Sequence, residues 1–281
     1  MQPATIMERS QDAVLTQWQE LLRLRRKVLK TSDLEAIHDL RVASRRLRAA
    51  VGLFEPWIPQ KIAAVLKKSC RKLTRVLGAQ RNIDEALLFF RLHTPAKSGG
   101  GYQICRILSE QRPRELERIK EALTELDHRR LDRMMRKAVT GLKEKLPTGS
   151  GSPSLPDYFS DMSLRLFQPI QNLLPVATSP NMRESRHALR IAIKKWRYLL
   201  EIVAPVLECD CSSILNQLKE YQTILGRMND VAEFGALCSR LALSRHERVF
   251  IETTLQTEDE LLLLKLTELI AQKPLTCTCL S

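Results

Sequence analysis

Four basic side chains at helical spacing are the feature of the N-terminal region most suited to chemistry. His38, Arg41, Arg45 and Arg48 lie within residues 37–56, and at about 100° per residue they fall within an arc of roughly 80° on one helix edge. Like charges along one edge destabilise a helix unless an anion offsets them. Guanidinium groups can donate several hydrogen bonds to phosphate oxygens. The stripe therefore indicates either an anion-binding edge or a solvated helix face.

The same pattern returns 149 residues later, in residues 187–205. His187, Arg190, Lys194, Lys195, Arg197 and Pro205 fall on His38, Arg41, Arg45, Arg46, Arg48 and Pro56, respectively. Packing would repeat the apolar face of a duplicated helix, but it does not require the polar edge and its histidine to recur. The recurrence favours a binding role for both stripes.

A second pair of matched segments follows the stripes. Leu77-Gly78 and Leu225-Gly226 lie 148 residues apart, and the polar pairs Arg81-Asn82 and Asn229-Asp230 follow them. We expect each glycine to lie at a helix C-terminal turn or at a tight helix crossing. The polar residues are then either helix caps or part of the site. Two matches at nearly one offset predict a tandem duplication.

The elements that position these residues are predicted to be helices, because apolar residues recur at helical spacing and strand-like alternation is scarce. The predicted helices cover 8–30, 37–55, 57–80, 84–93, 102–127, 129–146, 158–173, 181–203, 209–224 and 230–242, with a final pair around 244–272. Asp33, or Ser32 with Glu35, is the candidate cap of the second helix, and Pro56 is its expected end.

Two stretches rich in Gly, Ser and Pro separate these helices, a loop at 94–101 and a linker at 147–157. We place a boundary in the linker, which gives a first repeat at 1–150 and a second at 151–281. Each repeat is predicted to be an antiparallel four-helix bundle. If the two bundles pair about a pseudo-twofold axis, the stripes line a shared basic groove or channel.

The charge of the chain is concentrated in its first half. The formal net charge is +13. Residues 1–150 hold 31 Lys and Arg against 17 Asp and Glu, whereas residues 151–281 hold 14 against 15. A polyanionic partner is expected, attracted mainly by the first half. Lys67, Arg71 and Arg75 form a further stripe there, and Lys219 is its weaker mate in the second half.

The composition argues against several other classes of protein. We find no secretory signal and no run of 18 apolar residues, so a cytoplasmic protein without a membrane span is expected. Its seven cysteines are expected to be reduced thiols. The pairs Cys209-x-Cys211 and Cys277-x-Cys279 lack the usual zinc spacing, and the stripes hold no carboxylate cluster. No metal site and no cofactor are predicted.

The two His-x-x-Arg-x-x-x-(Arg/Lys)-(Arg/Lys)-x-Arg helices resemble the CHAD family, the conserved histidine α-helical domain. The Leu-Gly segments with their polar pairs are similar to the second signature of that family, and the resemblance covers residues 8–272. It implies two four-helix bundles with a basic central channel, binding of inorganic polyphosphate, and association with polyphosphate granules in cells that make them.

The resulting hypothesis is a non-catalytic polyphosphate-binding protein. The predicted binding residues are His38, Arg41, Arg45, Arg46, Arg48, Lys67, Arg71, Arg75, Arg81, His187, Arg190, Lys194, Lys195, Arg197 and Lys219. One alternative is an RNA-binding protein, against which the basic helices lack the interleaved aromatic residues of single-strand binders. The other is an enzyme, either a metal-dependent phosphohydrolase or a phosphohistidine carrier. Protonation of the two stripe histidines on binding would strengthen the affinity below about pH 6.5.

Overall fold

A computed structural model describes residues 3–93, 100–145 and 154–277, and the described residues form α-helices with no β-strand. The helices are α1 (Pro3–Thr31), α2 (Leu34–Leu53), α3 (Gln60–His93), α4 (Gly100–Thr124), α5 (His128–Lys145), α6 (Leu155–Ala177), α7 (Arg183–Leu207), α8 (Ser212–Cys238) and α9 (Arg245–Gln272). The predicted all-α fold is confirmed. In the described part of the chain, no helix is long and apolar enough to cross a membrane.

Local sequence signals set the ends of several helices. Asp33 caps α2, and its carboxylate accepts a hydrogen bond from the Ala36 backbone amide at 3.1 Å. Ser154 and Ser244 begin α6 and α9 through reciprocal capping boxes. After α2, residues Glu55–Trp57 form a short 3₁₀ turn that contains Pro56. The carboxylate cap and the proline signal of α2 were therefore predicted correctly, within one turn.

Four predicted helix breaks are wrong. The segments 57–80 and 84–93 form the single helix α3, and 209–224 and 230–242 form most of α8. The final pair around 244–272 is the single helix α9. Pro205 does not end α7, which continues to Leu207. A glycine inside a helix costs only about 1 kcal/mol, and Pro205 disturbs little because the helix ends two residues later.

The packing of the helices brings α2 next to α7. The helix α2 lies against α1 and α3, and α7 lies against α6 and α8. Contacts of α2 with α7, α3 with α8, and α4 with α9 join the N-terminal and C-terminal helices. Buried apolar side chains from each of the nine helices that the structure describes form one continuous core. The stripes of α2 and α7 are thus neighbours in space.

The tandem duplication, its pseudo-twofold axis and the domain boundary stay predictions. The boundary at 150/151 and most of the predicted linker and loop lie outside the described residues. Residues 154–157 of the predicted linker instead form the cap and first turn of α6. Five of the seven cysteines in the sequence are free thiols in the structure, namely Cys70, Cys105, Cys209, Cys211 and Cys238.

Candidate polyanion-binding site

The central feature of the site is a group of cations contributed by three helices, which we call the cation cluster. It consists of Arg41 and Arg45 on α2, Arg81 on α3, and Arg190 and Lys194 on α7. Desolvation, together with the charges of neighbouring arginines, lowers the pKa of Arg41, Arg190 and Lys194. Arg190 is only 8% exposed. The packing of α2 against α7 therefore concentrates like charges in a partly desolvated space.

Burial and mutual repulsion weaken proton binding in the cation cluster. Desolvation, followed by the charges of neighbouring arginines, lowers the pKa of Arg41 to about 10. The same causes lower the pKa of Lys194 to about 6, and the four charges that act most strongly on it all belong to arginines. A desolvated cation without a nearby anion is unfavourable. The free protein is thus electrostatically poised to accept an anion.

Two donors of the cation cluster lack hydrogen-bond acceptors. The buried Nε atoms of Arg41 and Arg190 have no partner in the described structure. Arg41 lies against Gly78, where an added Cβ would come within 3.7 Å of its Nε atom. That distance is ordinary van der Waals contact, so a methyl group at this position would also fit beside the guanidinium. Gly78 therefore lies next to Arg41, inside a continuous helix.

One member of the cation cluster is already paired. Arg81 donates two hydrogen bonds to the Asp230 carboxylate of α8, at 3.0 and 3.1 Å, and Asp230 is only 6% exposed. Burial alone would lower the pKa of Arg81, but the hydrogen bonds and charge of Asp230 raise it above its usual value. Asp230 thus neutralises part of the cluster and joins α3 to α8.

The two stripe histidines differ in their surroundings. Desolvation and the charge of Arg81 lower the pKa of His38. Asn229 Oδ1 lies 2.8 Å from His187 Nδ1 and 3.2 Å from the Arg190 Nη1 that donates to it. Because Oδ1 is an acceptor, His187 Nδ1 must donate, which leaves Nε2 of the neutral ring unprotonated. The neutral ring of His187 therefore presents Nε2 as an acceptor.

Several predicted binding residues lie in ion pairs instead. Glu201 accepts from Arg46 at 3.0 Å and from Arg197 at 2.7 Å, which links α2 to α7. Arg197 also donates to Gln222 on α8. Lys67 is paired with Glu55 at 2.5 Å. The sequence prediction did not distinguish these three cations from the other predicted binding residues. In the structure, each of the three is already paired with a carboxylate.

The remaining predicted residues lie at or beyond the edges of the cation cluster. Arg48 is half-buried, and the charges of Arg45 and Arg71 repel its guanidinium. Lys195 is exposed and lies with Arg48 along a groove between α2, α6 and α7. Arg71, Arg75 and Lys219 are exposed on α3 and α8. His187 lines a different cavity of about 600 Å³, between α7, α8 and α9.

Sequence reasoning missed the acidic and amide groups that organise the cations. Asn229 and Asp230 were weighed as caps, yet both lie inside α8 and contact the site. Their position in the second repeat, which matches that of Arg81-Asn82 in the first, was the signal that could have assigned them to the site. Asn82 likewise donates to Glu233 of α8 at 3.2 Å. Among the described residues, no three His, Cys, Asp or Glu side chains are grouped to hold a metal ion.

The described residues define the class of the protein as an α-helical bundle that carries a cluster of cations where α2, α3 and α7 meet. A family model of the CHAD domain matches residues 12–239, and the chain belongs to the CHAD family. No curated protein matches it.

Two solved structures share its fold. The CHAD domain from the plant Ricinus communis superposes with a TM-score of 0.70 at 22% identity, covering 97% of this chain and 93% of that one. PptA from Streptomyces chartreusis gives a TM-score of 0.69 at 16% identity, covering 95% of this chain and 99% of that one.

Proposed function

We propose that this protein binds inorganic polyphosphate, without catalysis, through the cation cluster of α2, α3 and α7. The observation that carries the proposal is the desolvated, mutually repelling set of Arg41, Arg45, Arg190 and Lys194. An anion with about one charge per phosphate would offset this repulsion. Membership of the CHAD family supports the same ligand, because the resemblance of the stripes to that family implies polyphosphate binding.

The linear shape of polyphosphate also suits the arrangement of cations. Arg48 and Lys195 continue the line of charge from the cation cluster along the groove between α2 and α7. Arginine side chains can bridge two oxygens of neighbouring phosphates, whereas lysines act as point charges. His38, three residues before Arg41 on α2, lies at the other end of this line and would add a donor, whereas His187 faces the separate cavity between α7, α8 and α9. We therefore propose that one polyphosphate segment follows α7.

A binding role fits this site better than a hydrolytic one. Metal-assisted phosphoryl transfer needs carboxylates that are free to hold a cation. Two carboxylates that contact the stripes or the cation cluster, those of Asp230 and Glu201, are engaged by Arg81, Arg46 and Arg197. We also propose a cytoplasmic location, with association to polyphosphate granules in cells that make them.

The test compares two charge-matched double variants. Arg41→Ala with Arg45→Ala removes two charges from the cation cluster, and Arg129→Ala with Arg133→Ala removes two exposed charges of α5. We expect the first variant to lose at least tenfold in affinity for long-chain polyphosphate at physiological salt, and the second to lose less than threefold. Circular dichroism checks that both remain folded.

Competition then separates polyphosphate from nucleic acid. Labelled polyphosphate bound to the protein is challenged with unlabelled polyphosphate or with single-stranded RNA at equal phosphate concentration. We expect polyphosphate to displace the label at much lower concentration than RNA. Equal losses in both double variants, or more efficient displacement by RNA, would contradict the proposal.

A further inference from the structure

The groove between α2, α6 and α7 has two chemically different ends. Five cations line it, Arg45, Arg48, Arg190, Lys194 and Lys195, and the lining also includes the aliphatic side chains of Leu199 and Ile202, further along α7, and of Met162 and Leu166 on α6. The cavity volume is about 400 Å³. Inorganic polyphosphate has no apolar part, so its binding does not account for the aliphatic end.

The two ends follow each other along one helix. Arg190 and Ile202 are both on α7, where 12 residues correspond to about 18 Å of helix rise. Leu199 and Ile202 form a buried floor, while Met162 and Leu166 of α6 are partly exposed walls. A ligand lying along α7 would therefore place an anionic head and an apolar chain in adjoining sections.

The cationic end is built for an anion independently of the apolar end. Arg190 is more than nine-tenths buried, and its Nε atom has no hydrogen-bond acceptor in the described structure. Lys194 forms no ion pair with a described residue. An anionic head would accept the hydrogen bond that Arg190 Nε does not make in the described structure, and it would supply a countercharge to Lys194.

The lining also distinguishes between kinds of apolar group. Among the described residues that line the groove, none is Asn, Gln, Asp or Glu, and Tyr198 has the one uncharged polar side chain. Reading the edge of a nucleobase requires paired donors and acceptors, which such a lining does not offer. A saturated or isoprenoid chain needs only apolar contact. We propose that this groove binds a diphosphate carrying an aliphatic chain, with the head on the cation cluster and the chain against α6.

This inference uses the same cations as the proposed function but does not require polyphosphate binding. Each CH₂ group buried adds about 0.8 kcal/mol, or roughly fourfold in affinity. Even partial burial of a farnesyl chain should therefore give more than tenfold tighter binding than the head alone. Polyphosphate should displace such a ligand, because both use Arg45, Arg190 and Lys194.

The experiment measures binding of farnesyl diphosphate, inorganic diphosphate and ATP to the full chain, below the micelle concentration of the lipid. We expect farnesyl diphosphate to bind at least tenfold tighter than inorganic diphosphate, and tighter than ATP. The double variant Met162→Gln with Leu166→Gln should lose this preference and keep its affinity for inorganic diphosphate. Leu164→Gln, on the exposed face of α6 outside the groove, is the matched control and should keep the preference.

The other possible results would contradict either this inference or the proposed function. Equal affinity for farnesyl and inorganic diphosphate would overturn the inference, as would an unchanged preference in the double variant or tighter binding of ATP. Polyphosphate binding is measured alongside with the same proteins. If polyphosphate binds and farnesyl diphosphate gains nothing from its chain, the inference fails and the proposed function stands. If the reverse holds, the proposed function fails alone.

Discussion

Polyphosphate binding should draw a proton onto Lys194. In the free protein, desolvation and the charges of Arg190, Arg45, Arg41 and Arg81 lower the pKa of this amine to about 6. A bound polyanion replaces repulsion with attraction and returns the pKa toward its ordinary value near 10.5. Lys194 is therefore neutral at pH 8 in the free protein and charged in the complex.

The magnitude follows from the distance between the working pH and the pKa of the free protein. Lys194 must be protonated before it can contribute its charge to binding. The free energy of this protonation rises by about 1.4 kcal/mol for each pH unit above about 6. At pH 8 this cost is about 3 kcal/mol as an upper bound, because bound water and side-chain movement reduce it. The affinity should rise up to tenfold for each unit of pH decrease between 8.5 and 6.5, then level off below about pH 6.

Calorimetry in two buffers with different ionisation enthalpies measures the proton taken up. We expect close to one proton per bound protein at pH 8 for the wild type. Lys194→Arg, which supplies a cation that stays charged, should bind tighter at pH 8 and show little uptake. Lys195→Arg, on the exposed neighbouring position, is the matched control and should behave as the wild type. No proton uptake in the wild type, or equal uptake in Lys194→Arg, would refute the reasoning.

Three further substitutions test the structure around the site, each by urea unfolding. Asp230→Ala leaves Arg81 without its buried partner and should lower the free energy of unfolding by about 3 kcal/mol, while polyphosphate affinity does not fall; a stable variant that binds worse would contradict this. Asp33→Ala removes the cap of α2 and should cost about 1 kcal/mol with no effect on binding. Gly226→Ala meets no atom within 4 Å and should stabilise the protein by about 0.5–1 kcal/mol; destabilisation would show a close contact at this position.

The helical fold and the main stripe were predictable because their signals are local. Spacing of apolar residues defined α2 and α7, and it placed the basic edges of His38 to Arg48 and His187 to Arg197 on them. The Asp33 cap and Pro56 fixed the ends of α2 to within one turn. These features depend on residues within a few positions of one another, which a single sequence reveals.

The breaks expected at Gly78 and Gly226 show where local signals fail. Both glycines lie inside long helices, because tertiary packing of the apolar face outweighs a cost of about 1 kcal/mol. A Cβ at Gly78 would contact the Arg41 side chain at 3.7 Å, whereas one at Gly226 would meet no other atom within 4 Å. The Leu-Gly pair therefore has different surroundings in α3 and in α8. The spacing of residues in the sequence cannot reveal this difference.

The division of the cations into paired and unpaired groups was beyond sequence reasoning. Arg46 and Glu201 are 155 positions apart, and Arg81 and Asp230 are 149 apart. Their pairing depends on how α2 and α3 pack against α7 and α8. Packing also partly buries Lys194 and leaves Lys195 exposed, although the two lysines are adjacent in the sequence and the spacing does not distinguish them.

The most direct test of the cation cluster as the polyphosphate site is the dependence of affinity on salt. Each cation that neutralises a phosphate contributes roughly 0.7 to the slope of log K against log salt concentration for a flexible single chain. Arg41→Ala with Arg45→Ala should therefore bind more weakly, with a slope shallower by about 1.4, while Arg129→Ala with Arg133→Ala keeps the slope of the wild type. The same slope in the wild type and the Arg41/Arg45 variant would contradict the account and place the binding site elsewhere.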